Sequence, residues 1–212
     1  MEPLCIDFFH DVVCCWSFNI SSRLRLLAGE MPLDIHHRTF VLQASRAEMT
    51  TRWGSPAAAR KTILGHWSVC REASDRPELI DIDAMERADF DYPHGYIAAL
   101  ACKAAERLAG QDAHWAMFDQ LQRAHLTHAQ NIADPEVIRE VVHALGFDAA
   151  GFNAAFDDPA TAAAVEADRH YARRHQVQAV PTVIIRETGM RLVNGPIDDL
   201  RAQIRAAQRL VA

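Results

Sequence analysis

Cys14-Cys15-Trp16-Ser17 stands between an apolar run and a helical pattern. A cysteine at a strand-to-helix turn sits where free N–H groups and the positive end of the helix dipole favour a thiolate. The thiolate is the attacking species in thiol–disulfide exchange. Cys14 is therefore the candidate nucleophile, expected to be partly exposed with a lowered pKa. Cys14-x-x-Ser17 differs from a Cys-x-x-Cys redox pair by one atom type. Ser17 cannot attack a mixed disulfide, but its hydroxyl can donate a hydrogen bond to the Cys14 thiolate. The mixed disulfide must then be cleared by an outside thiol, and glutathione is the abundant candidate. Cys15 is the obvious substitute resolver. Yet neighbouring cysteines close a strained eight-membered ring, and at a helix start their side chains diverge by about 100°. Cys15 reads first as a packing residue. Trp16 reads equally as a groove wall or as core. Far downstream, Ala179-Val180-Pro181-Thr182 lies at the mouth of another strand.

Eleven histidines invite metal readings. His66 and Cys70 are four apart, and His125 and His128 three apart, on helical patterns. Neither pair has a third ligand at a recognised spacing, and no His-Glu-x-x-His or Cys-x-x-Cys occurs. No metal site is expected. His36 and His37 on a strand face opposite ways. His10 reads first as a surface residue and second as a group tuning Cys14; His94 precedes a helix that could face the site. Cys5, Cys70 and Cys102 read as small apolar packing residues. There is no glycine-rich phosphate loop.

The elements that position Cys14 follow from periodicity. Leu4 to Phe9 is a buried strand, too short and aromatic for a helix. A helix follows to Ala28, with Gly29 as its stop. Leu33 to Phe40 alternates as a second strand, and a helical crossover implies a parallel pair. From about Ala57 to Arg174 no convincing strand appears. About five helices fill this stretch, one ended by Gly110, one begun by Asp134-Pro135 and stopped at Gly146, and one begun by Asp158-Pro159. Thr182 to Arg186 is a β-branched strand, Met190 to Val193 pairs back antiparallel, and Ile197 to Val211 is a last helix. The order describes an α/β, thioredoxin-like fold split by an all-helical insertion. Residues 1–56 and 175–212 form the thioredoxin-like part and 57–174 the inserted helical part.

The chain has 212 residues, half of them apolar and 24% charged, with a formal net charge of -6. That is ordinary for a globular protein and carries no basic stripe for nucleic acid. No run approaches a membrane span. The N-terminus lacks a secretory pattern, so the chain, taken as complete, is expected to be cytoplasmic. Five cysteines without regular spacing argue against a disulfide framework.

Asp11, Cys14, Cys15, Trp16 and Ser17, followed by Val180-Pro181-Thr182, resemble the site of the DsbA-like thioredoxin-fold proteins, in particular the FrnE-like branch. The stretches Ala98 to Glu106 and Asn131 to Val137 also look alike, so the resemblance covers nearly the whole chain. It implies a mixed thioredoxin sheet, a helical cap and thiol–disulfide chemistry. It also implies a cis Val180–Pro181 bond opposite Cys14, with Val180 backbone groups free to pair an extended substrate or glutathione. The chain departs from the family at two positions, with Ser17 in place of the resolving cysteine and Cys15 in place of proline. Kappa-class glutathione transferases and 2-hydroxychromene-2-carboxylate isomerases share the split fold but usually carry serine at the position of Cys14.

The function expected first is a cytoplasmic, monothiol thiol–disulfide oxidoreductase. Cys14 and Ser17 are its catalytic pair, and Cys15, Trp16, Val180 and Pro181 bind substrate. Its partners are protein or small-molecule thiols and disulfides. Glutathione is a co-substrate and not a tightly bound cofactor. A glutathione-dependent transferase or isomerase is the second reading, and a non-catalytic binding module the third. Relatives with exposed helical caps often dimerise, so a homodimer is among the implied partners.

Overall fold

A four-stranded sheet carries the site. The structure, a computed structural model, describes residues 2–211. Strand β1 (Leu4–His10) leads into helix α1 (Cys15–Glu30), which crosses over to β2 (Leu33–Thr39). Helices α2 (Arg46–Trp53), α3 (Pro56–Glu72), α4 (Ile82–Arg87), α5 (Tyr96–Gln122), α6 (Pro135–Ala144), α7 (Ala149–Asp157) and α8 (Pro159–Arg174) follow. The chain then returns through β3 (Thr182–Ile185) and β4 (Met190–Arg191) to α9 (Ile197–Val211). The strand order is β2-β1-β3-β4. β1 and β2 are parallel, while β3 is antiparallel to both β1 and β4. This is the mixed sheet of a DsbA-like thioredoxin fold with a helical insertion.

Strand alternation sorts the layers. Ile6 and Phe8 of β1, with Val183 and Ile185 of β3, pack into one core with Leu24 and Leu27 of α1, Phe118 of α5 and Leu200 and Ile204 of α9. On the other face Phe9 and Ile184 meet Ala172 of α8, and the Phe9 and Tyr171 rings stack at 6.0 Å. Asp7 lies on this second face. Its carboxylate takes hydrogen bonds from Arg38, Arg186 and Tyr171. The buried, multiply paired carboxylate is held well below its ordinary range, at about 2, because these donors outweigh its desolvation.

Helix ends follow capping chemistry, with two departures from expectation. Asp134 and Asp158 accept from Glu136 and Ala160 N–H groups, each followed by a first-turn proline. Gly146 adopts a φ of 74° just past α6, and Gly110, with a φ of 79°, breaks α5 within its span. Gly29, in contrast, does not stop α1. The helix runs on to Glu30, and Met31 ends it in an extended conformation with its N–H on Leu27 O. The cause is Pro32, which drives the residue before it out of the helical region. Helix α2 carries no apolar periodicity, since only Met49 of it is buried. A capping-box-like pair starts it instead: Ser45 Oγ at the N-cap accepts from Glu48 N–H, and the Glu48 carboxylate accepts from the N–H of Ala44, one residue before the cap.

Candidate active site

β1 delivers a turn at residues 11–14, and α1 begins directly after it. Cys14 occupies the N-cap position in extended conformation, with no side-chain cap and no acidic residue in the first helical turn. The Cys14 N–H donates to Asp11 O at 3.1 Å, and Ser17 N–H donates to Cys14 O at 3.0 Å. The Val180–Pro181 bond is cis, and the Cys14 thiol donates to Val180 O at 3.6 Å. The two segments, 166 residues apart in sequence, thus face each other across a cleft of about 350 Å³. Trp16, Trp53, Ile63, Trp67 and Tyr92 form much of its apolar wall.

Ser17 is fully buried, and its hydroxyl has no hydrogen-bond partner in the free protein. Beside the Cys14 sulfur, the Ser17 hydroxyl and the N–H groups of Ser17 and Trp16 act to favour the thiolate. Burial opposes them and is the larger effect, with the Asp11 carboxylate adding to it. The Cys14 thiol is pushed up to about 11. This corrects the expectation of a lowered pKa: the helix start is local, but the desolvation comes from the packed helices around it.

Cys15 is buried under the cleft wall. Its thiol donates to His66 O at 4.0 Å and meets the Cys70 thiol. That contact, with burial, raises the Cys15 pKa well above the ordinary value. Asn19 Nδ2 holds Cys70 from the other side, donating to its carbonyl at 3.2 Å and to its sulfur at 3.3 Å. Trp16 and Val180 are half-buried at the cleft, and Pro181 is half-buried beside it.

Several groups that fix the turn escape sequence reasoning. Gln122, near the far end of α5, donates to both Val12 O at 3.1 Å and Cys14 O at 2.9 Å. Tyr92 donates to Val13 O at 3.1 Å and is itself 2.9 Å from His125 Nε2. Asp11 accepts from Val13 N–H at 3.2 Å and from Leu42 N–H at 2.6 Å. Burial pushes its carboxyl up to about 6 against these bonds. The Asp11 carboxylate also requires a glycine at position 95, since a Cβ there would sit 2.3 Å from Asp11 Oδ1. Only Asp11 is visible in the sequence, as part of the reactive motif.

The histidines fall elsewhere. His10 is buried, not on the surface, because β1 turns it toward α5. It packs among His37, His114 and Phe118, with His37 Nδ1 3.2 Å from His10 Nε2. His37 is buried and His36 half-buried on the opposite strand face, as alternation requires. His94 is half-buried near the start of α5, and it does not line the cleft.

Over 188 residues the chain is 30% identical to the ClpXP adapter protein SpxH of Shouchella clausii (strain KSM-K16), covering 86% of this chain and 58% of that protein. It therefore spans less than two thirds of that relative's length. The cytosolic disulfide reductase DsbM from Pseudomonas aeruginosa superposes with a TM-score of 0.77 at 24% identity, over 98% of this chain and 100% of the other. DsbM with GSH gives 0.75 at 23%, over 97% and 100%. A 2-hydroxychromene-2-carboxylate isomerase superposes with 0.65 at 17%, over 98% and 96%. At these identities the solved structures share the fold. No helix of the described residues is long and apolar enough to cross a membrane. The DSBA-like thioredoxin domain is matched across residues 5–205, from the strand before Cys14 to the last helix, and the chain belongs to that family.

Proposed function

We propose that the chain is a monothiol thiol–disulfide oxidoreductase of the FrnE-like branch, acting in a reducing, cytoplasmic compartment with glutathione or another external thiol as co-substrate. The observation that carries this reading is the Cys14 thiol on Val180 O, 3.6 Å away inside an apolar cleft. In the free protein that carbonyl holds the proton on sulfur. An extended substrate pairing with the Val180 backbone takes the carbonyl for itself. The thiol then loses its acceptor, while Ser17 and the helix N–H groups remain to favour the thiolate.

The Cys14 thiolate attacks one sulfur of a substrate disulfide, forming a Cys14 mixed disulfide and releasing the other half as a thiolate. A glutathione thiolate then attacks the substrate sulfur, freeing Cys14 and leaving a glutathione–substrate disulfide. A second glutathione reduces that product, so two glutathione thiols become one glutathione disulfide. Ser17 stabilises the Cys14 anion, the Val180 backbone beside Pro181 aligns the substrate, and Trp16 with the buried Cys15 shapes the wall. The DsbM structure with GSH supports glutathione as co-substrate by analogy of fold. We also keep residues 1–56 and 175–212 as the thioredoxin-like part and 57–174 as the inserted part. This division leaves α2 with the sheet and cuts α3 after its first residue.

The cleft favours a second reading, a glutathione-dependent transferase or isomerase, because its apolar wall beside Cys14 suits a small electrophile. The SpxH relative, named as an adapter, favours a third, a binding module. Incubating the chain and Cys14→Ser with a glutathionylated peptide and reduced glutathione tests all three. Release of the free peptide by the chain but not by the variant is expected. Conjugation of an aromatic electrophile without peptide release would move the function to the second reading. Neither activity would leave the third.

A further inference from the structure

At the end of the sheet away from Cys14, a second thiol stands among metal-ligating groups. Cys5 of β1 is in register with Asp34 of β2, on the same sheet face as Asp7. The Cys5 thiol donates to Asp34 Oδ2 at 3.8 Å. The same oxygen is 2.9 Å from His36 Nε2. Sulfur, carboxylate and imidazole donor atoms all lie within 4.8 Å of one another. Glu187, just past β3, closes the group. One of its oxygens accepts from Cys5 N–H at 2.8 Å. Neighbouring Arg186 is engaged elsewhere, with two nitrogens on Asp7. None of these residues belongs to the Cys14 cleft.

We propose that Cys5, Asp34 and His36, with Glu187 or a water as fourth donor, form a binding site for one divalent transition-metal ion of the zinc type. Tetrahedral zinc bonds of about 2.3 Å to sulfur and about 2.0–2.2 Å to nitrogen and oxygen put neighbouring donors roughly 3.3–3.6 Å apart. The observed separations of 3.8 and 2.9 Å lie on either side of that range, and the sulfur and nitrogen atoms lie within 4.8 Å of each other. A thiolate with an imidazole selects zinc-like ions over calcium or magnesium. Charge agrees: two carboxylates and a thiolate more than offset the ion. Binding forms the sulfur–metal bond and releases the Cys5 proton to solvent. Asp34 and His36, two apart on one strand, face the same way by alternation. Their side chains are 51% and 27% exposed, so an ion enters directly from water. The site lies across two strands and a hairpin turn, which is why spacing along helices does not reveal it.

Titrating Co²⁺ and then Zn²⁺ into the metal-free chain tests this. The expected result is one ion per chain, with a sulfur-to-cobalt charge-transfer band and release of a proton. Cys5→Ser abolishes the band and weakens binding by more than the roughly 10–100-fold that loss of an outer-shell partner costs. His36→Asn weakens binding as well, and Cys14→Ser leaves band and affinity unchanged. Both ligand variants are half-exposed strand positions, and their melting curves serve as the folding control. A band lost in Cys14→Ser but kept in Cys5→Ser would place the metal on the cleft thiol and overturn the proposal. So would binding that survives both ligand variants, which would point to the buried cluster of His10, His37 and His114, and so would no binding.

Discussion

Replacing Ser17 by alanine isolates the hydrogen bond that the cleft offers the Cys14 thiolate. The Ser17 hydroxyl has no other partner, and the residue is fully buried, so the substitution orphans no other group and should leave the melting temperature nearly unchanged. A hydrogen bond to a charged group contributes about 1.5–3 kcal/mol, equal to roughly 1–2 pKa units. The Cys14 thiol, already pushed up to about 11, therefore rises further. At pH 8 the thiolate fraction falls by the same factor. Each remaining thiolate is more nucleophilic, however, with a Brønsted slope of about 0.4–0.5. The net loss in exchange rate is roughly 3–16-fold. The assay is stopped-flow exchange with a small aromatic disulfide, with the adduct mapped to Cys14 by mass spectrometry and the denatured chain as control. An unchanged or faster rate in the folded variant would refute the role given to Ser17.

Ser17→Cys should convert the monothiol site to a dithiol one. After exposure to oxidised glutathione, peptide mapping is expected to find a disulfide between Cys14 and the introduced thiol; a persistent glutathione adduct on Cys14 would count against the geometry of the turn. Gln122→Leu leaves the Val12 carbonyl without its Gln122 donor and the Cys14 carbonyl with the Ser17 N–H alone and should cost about 1–3 kcal/mol in urea unfolding, so a loss below about 0.5 kcal/mol would contradict the clamp. Asp7 has a folded pKa lowered from 3.8 to about 2. Its contribution of about 2 kcal/mol is therefore present above pH ~4 and is lost as pH falls from there through pH ~2. Asp7→Asn should remove that slope from the acid unfolding profile, and an identical slope in the variant would show that other carboxylates carry it.

Local signals in the chain foretell what local physics decides. The alternation of Leu33 to Phe40 and the apolar run from Leu4 place β1 and β2 almost to the residue, and Asp134-Pro135 and Asp158-Pro159 mark two helix starts. Cys14, Ser17 and Val180-Pro181 are legible because each lies in a short segment whose chemistry is contained in it. Helix α2 is hidden from periodicity because it buries one side chain, although Ser45-x-x-Glu48 announces it. Gly29 misleads because the neighbouring Pro32 sets the boundary. The direction of the Cys14 pKa, the burial of His10 and the donors Gln122 and Tyr92 all depend on packing across more than seventy residues of chain. No pattern local to the turn contains them.

Gln122 and Tyr92 have a kinetic meaning as well. Between them they hold three successive carbonyls of the turn that carries the thiol, and both belong to the helical block. The turn is thus suspended from the helices as firmly as from the sheet. Swinging the block away like a door would tear those bonds and strand buried acceptors without partners. The lining includes Arg52, Trp53 and Ile63, side chains that could admit a ligand by changing rotamer. Such motions take picoseconds to nanoseconds, against the microseconds to milliseconds of domain opening. Entry by rotamer change would then outpace any movement of the helical block.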